Sequence, residues 1–300
     1  MHDSRRLQSA MEYLMTYGWA ILVIAVVLGV LYSLGIFSPS NFAPKAQPGS
    51  CQVFRPNGPG TNYDINLEGT CSGETPQYVA EMTGCSGCDV VQGADVLISA
   101  PNFPATLNNF TIFAWIEPTS SQCSEPVFSA VRNTVANSNG GATLSLVNGA
   151  PAVQVNSYAY RVYSSNAMPI NTWGQVAATY AGGNVTIYIN GNQDTVANIG
   201  TSPASFNSLL PNLDIGYDNQ TIWCSGGQSH FTGHISNVQF YNETLSAREI
   251  SSLYDEGIGG VPQKLQNLVG WWPLNGNAND YSGNNYQGIA YNTSYVAGIV

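Results

Sequence analysis

The chain has 300 residues, 44% of them hydrophobic and only 9% charged, against about a quarter charged in an ordinary soluble domain. Eight Lys and Arg against eighteen Asp and Glu leave a formal net charge of -10, which excludes the basic surface a nucleic-acid partner requires. Seventeen Tyr, ten Phe and six Trp exclude a disordered chain, which lacks the apolar surface to fold. Polarity must come from Asn, Ser, Thr, Gly and Tyr, as in β-rich extracellular proteins.

The first element predicted is a helix. No charge occurs from Tyr13 to Pro44, and Trp19–Leu34 is almost wholly apolar. Extended by Tyr13–Gly18, this run reaches the roughly 20 residues that cross a bilayer. Arg5 and Arg6 precede it, so the positive-inside rule puts the N-terminus in the cytoplasm and the remainder outside. The run exceeds a signal-peptide core of about 7–15 residues, which favours a retained transmembrane helix. Glu12 stands at its start, where a carboxylate needs a partner.

Arg5-Arg6-Leu7-Gln8-Ser9-Ala10-Met11-Glu12-Tyr13-Leu14, followed by the apolar run, resembles the class III signal of archaeal type IV pilin-like proteins. The resemblance implies cleavage between Leu7 and Gln8. It also implies pairing of Glu12 with the new N-terminal amine of a neighbouring subunit, and assembly of the helices into a filament. Leu7 stands where the family usually has a small residue. A plain membrane anchor, with Glu12 at the headgroups, is the alternative.

Residues 1–37 are thus read as the pilin-like segment and 38–76 as a Pro-rich stalk with the Cys51/Cys71 loop. Cys51, Cys71, Cys85, Cys88, Cys123 and Cys224 lie beyond the helix, where an oxidising compartment favours disulfides. The expected pairs are Cys51–Cys71, Cys85–Cys88 and Cys123–Cys224. Zinc is not expected, because only Cys85 and Cys88 have ligand spacing.

From about Gln77 the pattern is short strands between turns. Strands are predicted at Tyr78–Glu81, Phe110–Glu117, Val127–Val131, Ala142–Val147, Trp173–Tyr180, Val185–Asn190, Leu213–Tyr217 and His234–Tyr241. Phe110–Glu117 is apolar on both alternating faces, as in a central, doubly covered strand. Asn190-Gly191 suits a type I′ hairpin. Ser246-Ala-Arg-Glu249 is a capping box opening a helix of about three turns, with Leu245 and Ile250 as its staple. Many short strands at regular spacing mean a β-sandwich or jelly roll.

In order, Phe110–Glu117, Trp173–Tyr180, Val185–Gly191, Leu213–Tyr217, Phe231–Asn242 and Leu245–Leu253 resemble the laminin G-like, concanavalin A-like jelly roll. Residues 77–300 are read as that domain. Gly270–Gly288 looks like the family's opening strand and loop, standing at the C-terminus, so 268–300 is expected to complete the sandwich. The resemblance implies calcium as a cofactor, held by Asp280, Asn284 and Asn285 with Asn237 opposite. An Asx-rich turn without metal is the alternative.

No enzyme is expected. Retaining glycosidases need two carboxylates about 5 Å apart, and no Glu-x-Asp-x-x-Glu occurs. Asp214 and Asp218 read as loop carboxylates, and His234 as a surface residue. Tyr158, Tyr160, Tyr217 and Trp223 are candidate platforms for stacking on a sugar. The expected protein is a mainly β jelly roll behind a long hydrophobic N-terminal helix, displayed at the cell surface for adhesion. Its partners would be a glycan or a surface protein, and the membrane or copies of itself. A monomeric membrane-anchored lectin-like protein and a cell-wall glycan hydrolase or its accessory are the alternatives.

Overall fold

The computed structural model describes residues 17, 19–30, 75–84, 93–130, 140–156, 160–200, 203–206, 212–218 and 229–298. The N-terminal helix and the β-rich region belong to separate compact units.

Helix α1 covers 19–30. Trp19, Ile21, Leu22, Val23, Ile24, Val26, Val27, Leu28 and Val30 are all exposed, so it is apolar all round. At 1.5 Å per residue it is about 18 Å long, against about 30 Å of bilayer hydrocarbon. Among the described residues no helix is long and apolar enough to cross a membrane. Leu7, Gln8, Glu12 and the rest of the expected transmembrane run lie outside the described residues.

Nineteen strands are described: β1 Tyr78–Met82, β2 Asp95–Ser99, β3 Thr106–Leu107, β4 Asn109–Pro118, β5 Glu125–Ala130, β6 Ala142–Val147, β7 Ala150–Val155, β8 Arg161–Tyr163, β9 Gly174–Ala181, β10 Asn184–Ile189, β11 Asn192–Asn198, β12 Ala204–Ser205, β13 Asn212–Ile215, β14 Tyr217–Asp218, β15 Ser229–His230, β16 Gly233–Tyr241, β17 Leu268–Trp272, β18 Gly288–Tyr291 and β19 Ser294–Ala297. Most form two antiparallel sheets. The first runs β11-β10-β9-β4-β16-β1-β19, with β17 also on β16, and the second runs β18-β2-β13-β5-β6-β7-β8.

Sequence chemistry sets the local pieces. Asn148 and Asn190 have φ of 51° and 51°, and Gly149 and Gly191 follow at 81° and 75°. Two successive positive φ values make the type I′ turns whose twist suits a tight hairpin, joining β6 to β7 and β10 to β11. In β4, Phe110, Ile112, Ala114 and Ile116 face inward and join the main core. Phe113 and Trp115 point the other way and join a second core, so both faces of this central strand are covered.

The main core lies between the sheets, where Phe128 of the second meets Phe240 of the first at 5.6 Å between ring centroids. The second core lies on the first sheet's outward face, under helix α2, Ala247–Glu256. Ser246 and Glu249 form the reciprocal capping box, and the flanking Leu245 and Ile250 are buried. Trp115 stacks on Tyr254 of α2 with ring centroids 5.5 Å apart.

The C-terminal segment feeds both sheets. β17 pairs with the second half of β16 while β1 pairs with its first half. β18 pairs with β2 and β19 with β1. Trp272, fully buried, donates its indole N–H to the Tyr286 carbonyl, tying this segment to the core it completes.

Candidate functional site

The two sheets differ in what their outward faces carry. On the second sheet, Val96, Ile98, Phe128, Leu144, Val153, Val162 and Ile215 face the core, so alternation turns their neighbours outward. Register aligns those neighbours strand by strand. Tyr291 lies opposite Asp95 and Ile289 opposite Leu97, while Leu97 lies opposite Asp214. Asp214 faces Ser129, Ser129 faces Thr143, Thr143 faces Gln154, and Gln154 faces Arg161. The result is a lane across seven strands, about 29 Å wide at roughly 4.8 Å per strand, polar from Asp214 to Arg161 and apolar where Leu97 and Ile289 continue it.

Its middle is closed and its ends are open. Ser129, Thr143, Ser145 and Gln154 are buried, and the hydroxyls of Thr143 and Ser145 have no hydrogen-bond partner. A buried donor left unmade costs about 1–3 kcal/mol, a cost that these two hydroxyls carry. At one edge Tyr163 is 47% exposed, and at the other Tyr291 is 45% exposed with Ile289 beside it. Gln154 accepts a hydrogen bond from Arg161 Nε at 3.1 Å.

The Tyr291 end carries carboxylates. Asp95 and Asp214 stand on neighbouring strands, two residues off register, on the same face. Asp218 follows Gly216, whose φ of 85° turns the chain out of β13. Asp95 is pushed up from its ordinary 3.8 to about 6 by burial. Asp214 is likewise raised well above its ordinary value, by burial first and then by the negative charges of Asp95 and Asp218. Tyr217, 5% exposed, has its hydroxyl unpartnered, and burial and the same three carboxylates hold that hydroxyl protonated. Its ring stacks on His230 at 4.6 Å. Both nitrogens of this imidazole are unpartnered, and burial lowers its proton affinity. Gly93 has no room for a side chain here, because a Cβ would lie 2.1 Å from the His230 ring.

Several expectations need correction. Asp214 and Asp218 are strand residues rather than loop carboxylates, and Asp218 is buried. Tyr217 is not an open stacking platform, because it is buried against His230. His234 is half-buried, with Nδ1 2.9 Å from Glu117. Tyr160 is exposed at the turn into β8. Tyr158 and Trp223 lie outside the described residues, as do Cys51, Cys71, Cys85, Cys88 and Cys224. Cys123 is disulfide-bonded.

The expected calcium ligands do not fit calcium. Asp280 Oδ1 accepts from the backbone N–H groups of Trp271 and Ser282, at 3.0 and 2.8 Å. Its Oδ2 accepts from Ser282 Oγ and the Tyr286 N–H, both at 2.9 Å. Those four donors fill the one carboxylate of a site that would need six to eight oxygens. Asn284 donates to the Leu268 and Val269 carbonyls, and Asn285 accepts from Gln287. Asn237 is the hub of a separate buried network, accepting from Gln239 and from the Trp271 indole and donating to the Gly260 carbonyl. Among the described residues no group of three or more His, Cys, Asp or Glu is placed to hold a metal ion.

Sheet order, hairpins and the flanking helix define a concanavalin A-like sandwich. Residues 92–251 match the Laminin_G_3 family model, described as the concanavalin A-like lectin/glucanases superfamily, and the chain belongs to that family. Among solved structures it is similar to a protein from Bacteroides ovatus named, by inference, as carbohydrate-binding. The two are 15% identical with a TM-score of 0.56, over 75% of this chain and 62% of that one. It is also similar to the heptameric SAP-like pentraxin of Limulus polyphemus, 16% identical with a TM-score of 0.50, over 74% of this chain and 95% of that one. At these identities the likeness concerns the fold. No curated protein matches the chain.

Proposed function

We propose that the protein is a cell-surface adhesion protein whose sandwich binds glycans along the outward polar lane of its second sheet. The observation that carries this reading is the lane itself: buried hydroxyls at Thr143 and Ser145 without partners, between edges that expose Tyr163 and Tyr291. A ligand rich in hydroxyls satisfies the first, and an aromatic ring packs on the apolar face of a pyranose. The likeness to a protein named for carbohydrate binding agrees with it. Protein ligands lack the dense hydroxyls that such a lane rewards.

In the same proposal α1 anchors the protein in a membrane or packs against the α1 of other copies in a filament. An apolar helix exposed all round needs one such cover, and cleavage before Gln8 would free the amine that Glu12 pairs with. The protein binds its ligand without turning it over. Hydrolysis is the second reading, favoured by the neighbouring carboxylates Asp95 and Asp214.

The test is a glycan array probed with the full chain in detergent, beside its Tyr291→Ala and Gln154→Ala variants. Binding that falls tenfold or more in both variants is the expected result. Binding untouched by either variant places the ligand elsewhere, and release of reducing sugar from a bound glycan establishes the hydrolytic reading.

A further inference from the structure

We infer that the Tyr291 end of the lane selects glycans bearing a free amino group, with Asp95 and Asp214 receiving the ammonium. This rests on the lane being the glycan site. The sheet register brings the two carboxylates together on one face of β2 and β13, and among the described residues neither carboxylate makes a hydrogen bond or ion pair. Arg161, the one cation of the lane among the described residues, lies on β8, four strands from β13, about 19 Å away. Carboxylates this close and this poorly hydrated repel one another, and among the described residues no cation is placed to relieve them.

A separate observation points the same way. The Tyr217 hydroxyl is buried and unpartnered, and it lies within the electrostatic reach of Asp95, Asp214 and Asp218. A primary ammonium has three donors and no acceptor, so it can bond both carboxylates and a third acceptor such as this phenol oxygen. A metal ion is a poorer occupant, since no described cluster has metal-binding geometry. A neutral hydroxyl leaves the repulsion between the carboxylates in place. The exposed Tyr291 ring, opposite Asp95, offers the sugar ring a face while its amino group reaches inward.

The experiment measures binding of the full chain in detergent at about pH 7, where a primary amine is largely protonated. The probes are a glucosamine trimer, an N-acetylglucosamine trimer and spermidine. The glucosamine trimer is expected to bind at least about tenfold more tightly than either other probe, the worth of one hydrogen bond to a charged group. Asp214→Asn should remove most of that preference while leaving the acetylated trimer's affinity within about twofold. Because the preference is read in the unaltered protein, the test survives a variant that fails to fold. Equal binding of the two trimers overturns the inference and leaves the glycan lane standing. Spermidine binding as tightly as the glucosamine trimer overturns the selection of a sugar. Binding of none of the three overturns both the inference and the lane.

Discussion

The two outward faces of the sandwich solve the same problem with opposite chemistry. A sheet has two faces, and the one turned away from the core must meet water, a covering element or a ligand. The first sheet presents Phe113, Trp115, Ala177, Tyr188, Tyr241 and Trp271, and these are buried beneath α2 and the segment after it. Tyr241 Oη donates to Gln239, and Gln239 to Asn237, while the Trp115 indole and the Gln175 amide N–H on the same face have no partner. The second sheet presents Asp95, Asp214, Ser129, Thr143, Ser145 and Gln154, with the hydroxyls of Thr143 and Ser145 unpartnered. A face made mostly of apolar side chains under a covering helix is built for stability. One that keeps polar groups unsatisfied gives up stability, and recovers it only when something binds.

The sharpest way to break this contrast is to damage the first face. Trp271→Ala removes a buried indole and leaves Asn237 short of a donor. It should cost about 3–5 kcal/mol in urea unfolding of the full chain, with no change in ligand preference beyond the loss of folded protein.

A gain is expected on the second face. Burial raises Asp95 from 3.8 to about 6, so the folded state holds its proton where the unfolded state releases it. The associated stability is complete below about pH 4 and is lost as pH rises through about 6, roughly 3 kcal/mol in all. Asp95→Asn cannot ionise. It should therefore unfold like the parent at about pH 4 and be about 2–3 kcal/mol more stable at about pH 8. His230 runs in the opposite sense, because its lowered proton affinity costs stability as pH falls. Comparing variant with parent cancels that contribution. A parallel pair of pH–stability curves would show that Asp95 carries no such burden.

The smallest effect sharpens the contrast most finely. Thr143→Val replaces a buried, unpartnered hydroxyl with a methyl of the same shape. It should stabilise the protein by about 1 kcal/mol while weakening glycan binding, both read from thermal shifts with and without the bound glycan. Stabilisation without loss of binding would remove Thr143 from the site.

Much of the first face was legible in the sequence. The two-sided apolar run of β4, the Asn-Gly turn after β10 and the capping box of α2 are local patterns, and local hydrogen bonding or alternation dictates them. The second face was less so. Strand β2, Asp95–Ser99, was not predicted, although Asp95, Leu97 and Ser99 alternate with Val96 and Ile98 in the half-buried pattern. That alternation, with Asp214 set between Leu213 and Ile215, was the available signal that both carboxylates sit on strands and point outward. Reading Asp280 and Asn237 as one metal site failed for a related reason. The sequence supplies the oxygen atoms, but only folding shows that backbone N–H groups and the Trp271 indole have already claimed them.

By itself the sequence determined the class of fold, the positions of its main hairpins and the start of helix α2, because each depends on residues a few positions apart. Tertiary structure decided which polar residues share a face. Asp95 meets Asp214 only because β2 lies beside β13, and residues 288–291 join them only because β18 returns to that edge. Such pairings are fixed by register across more than a hundred residues, and no local pattern encodes them.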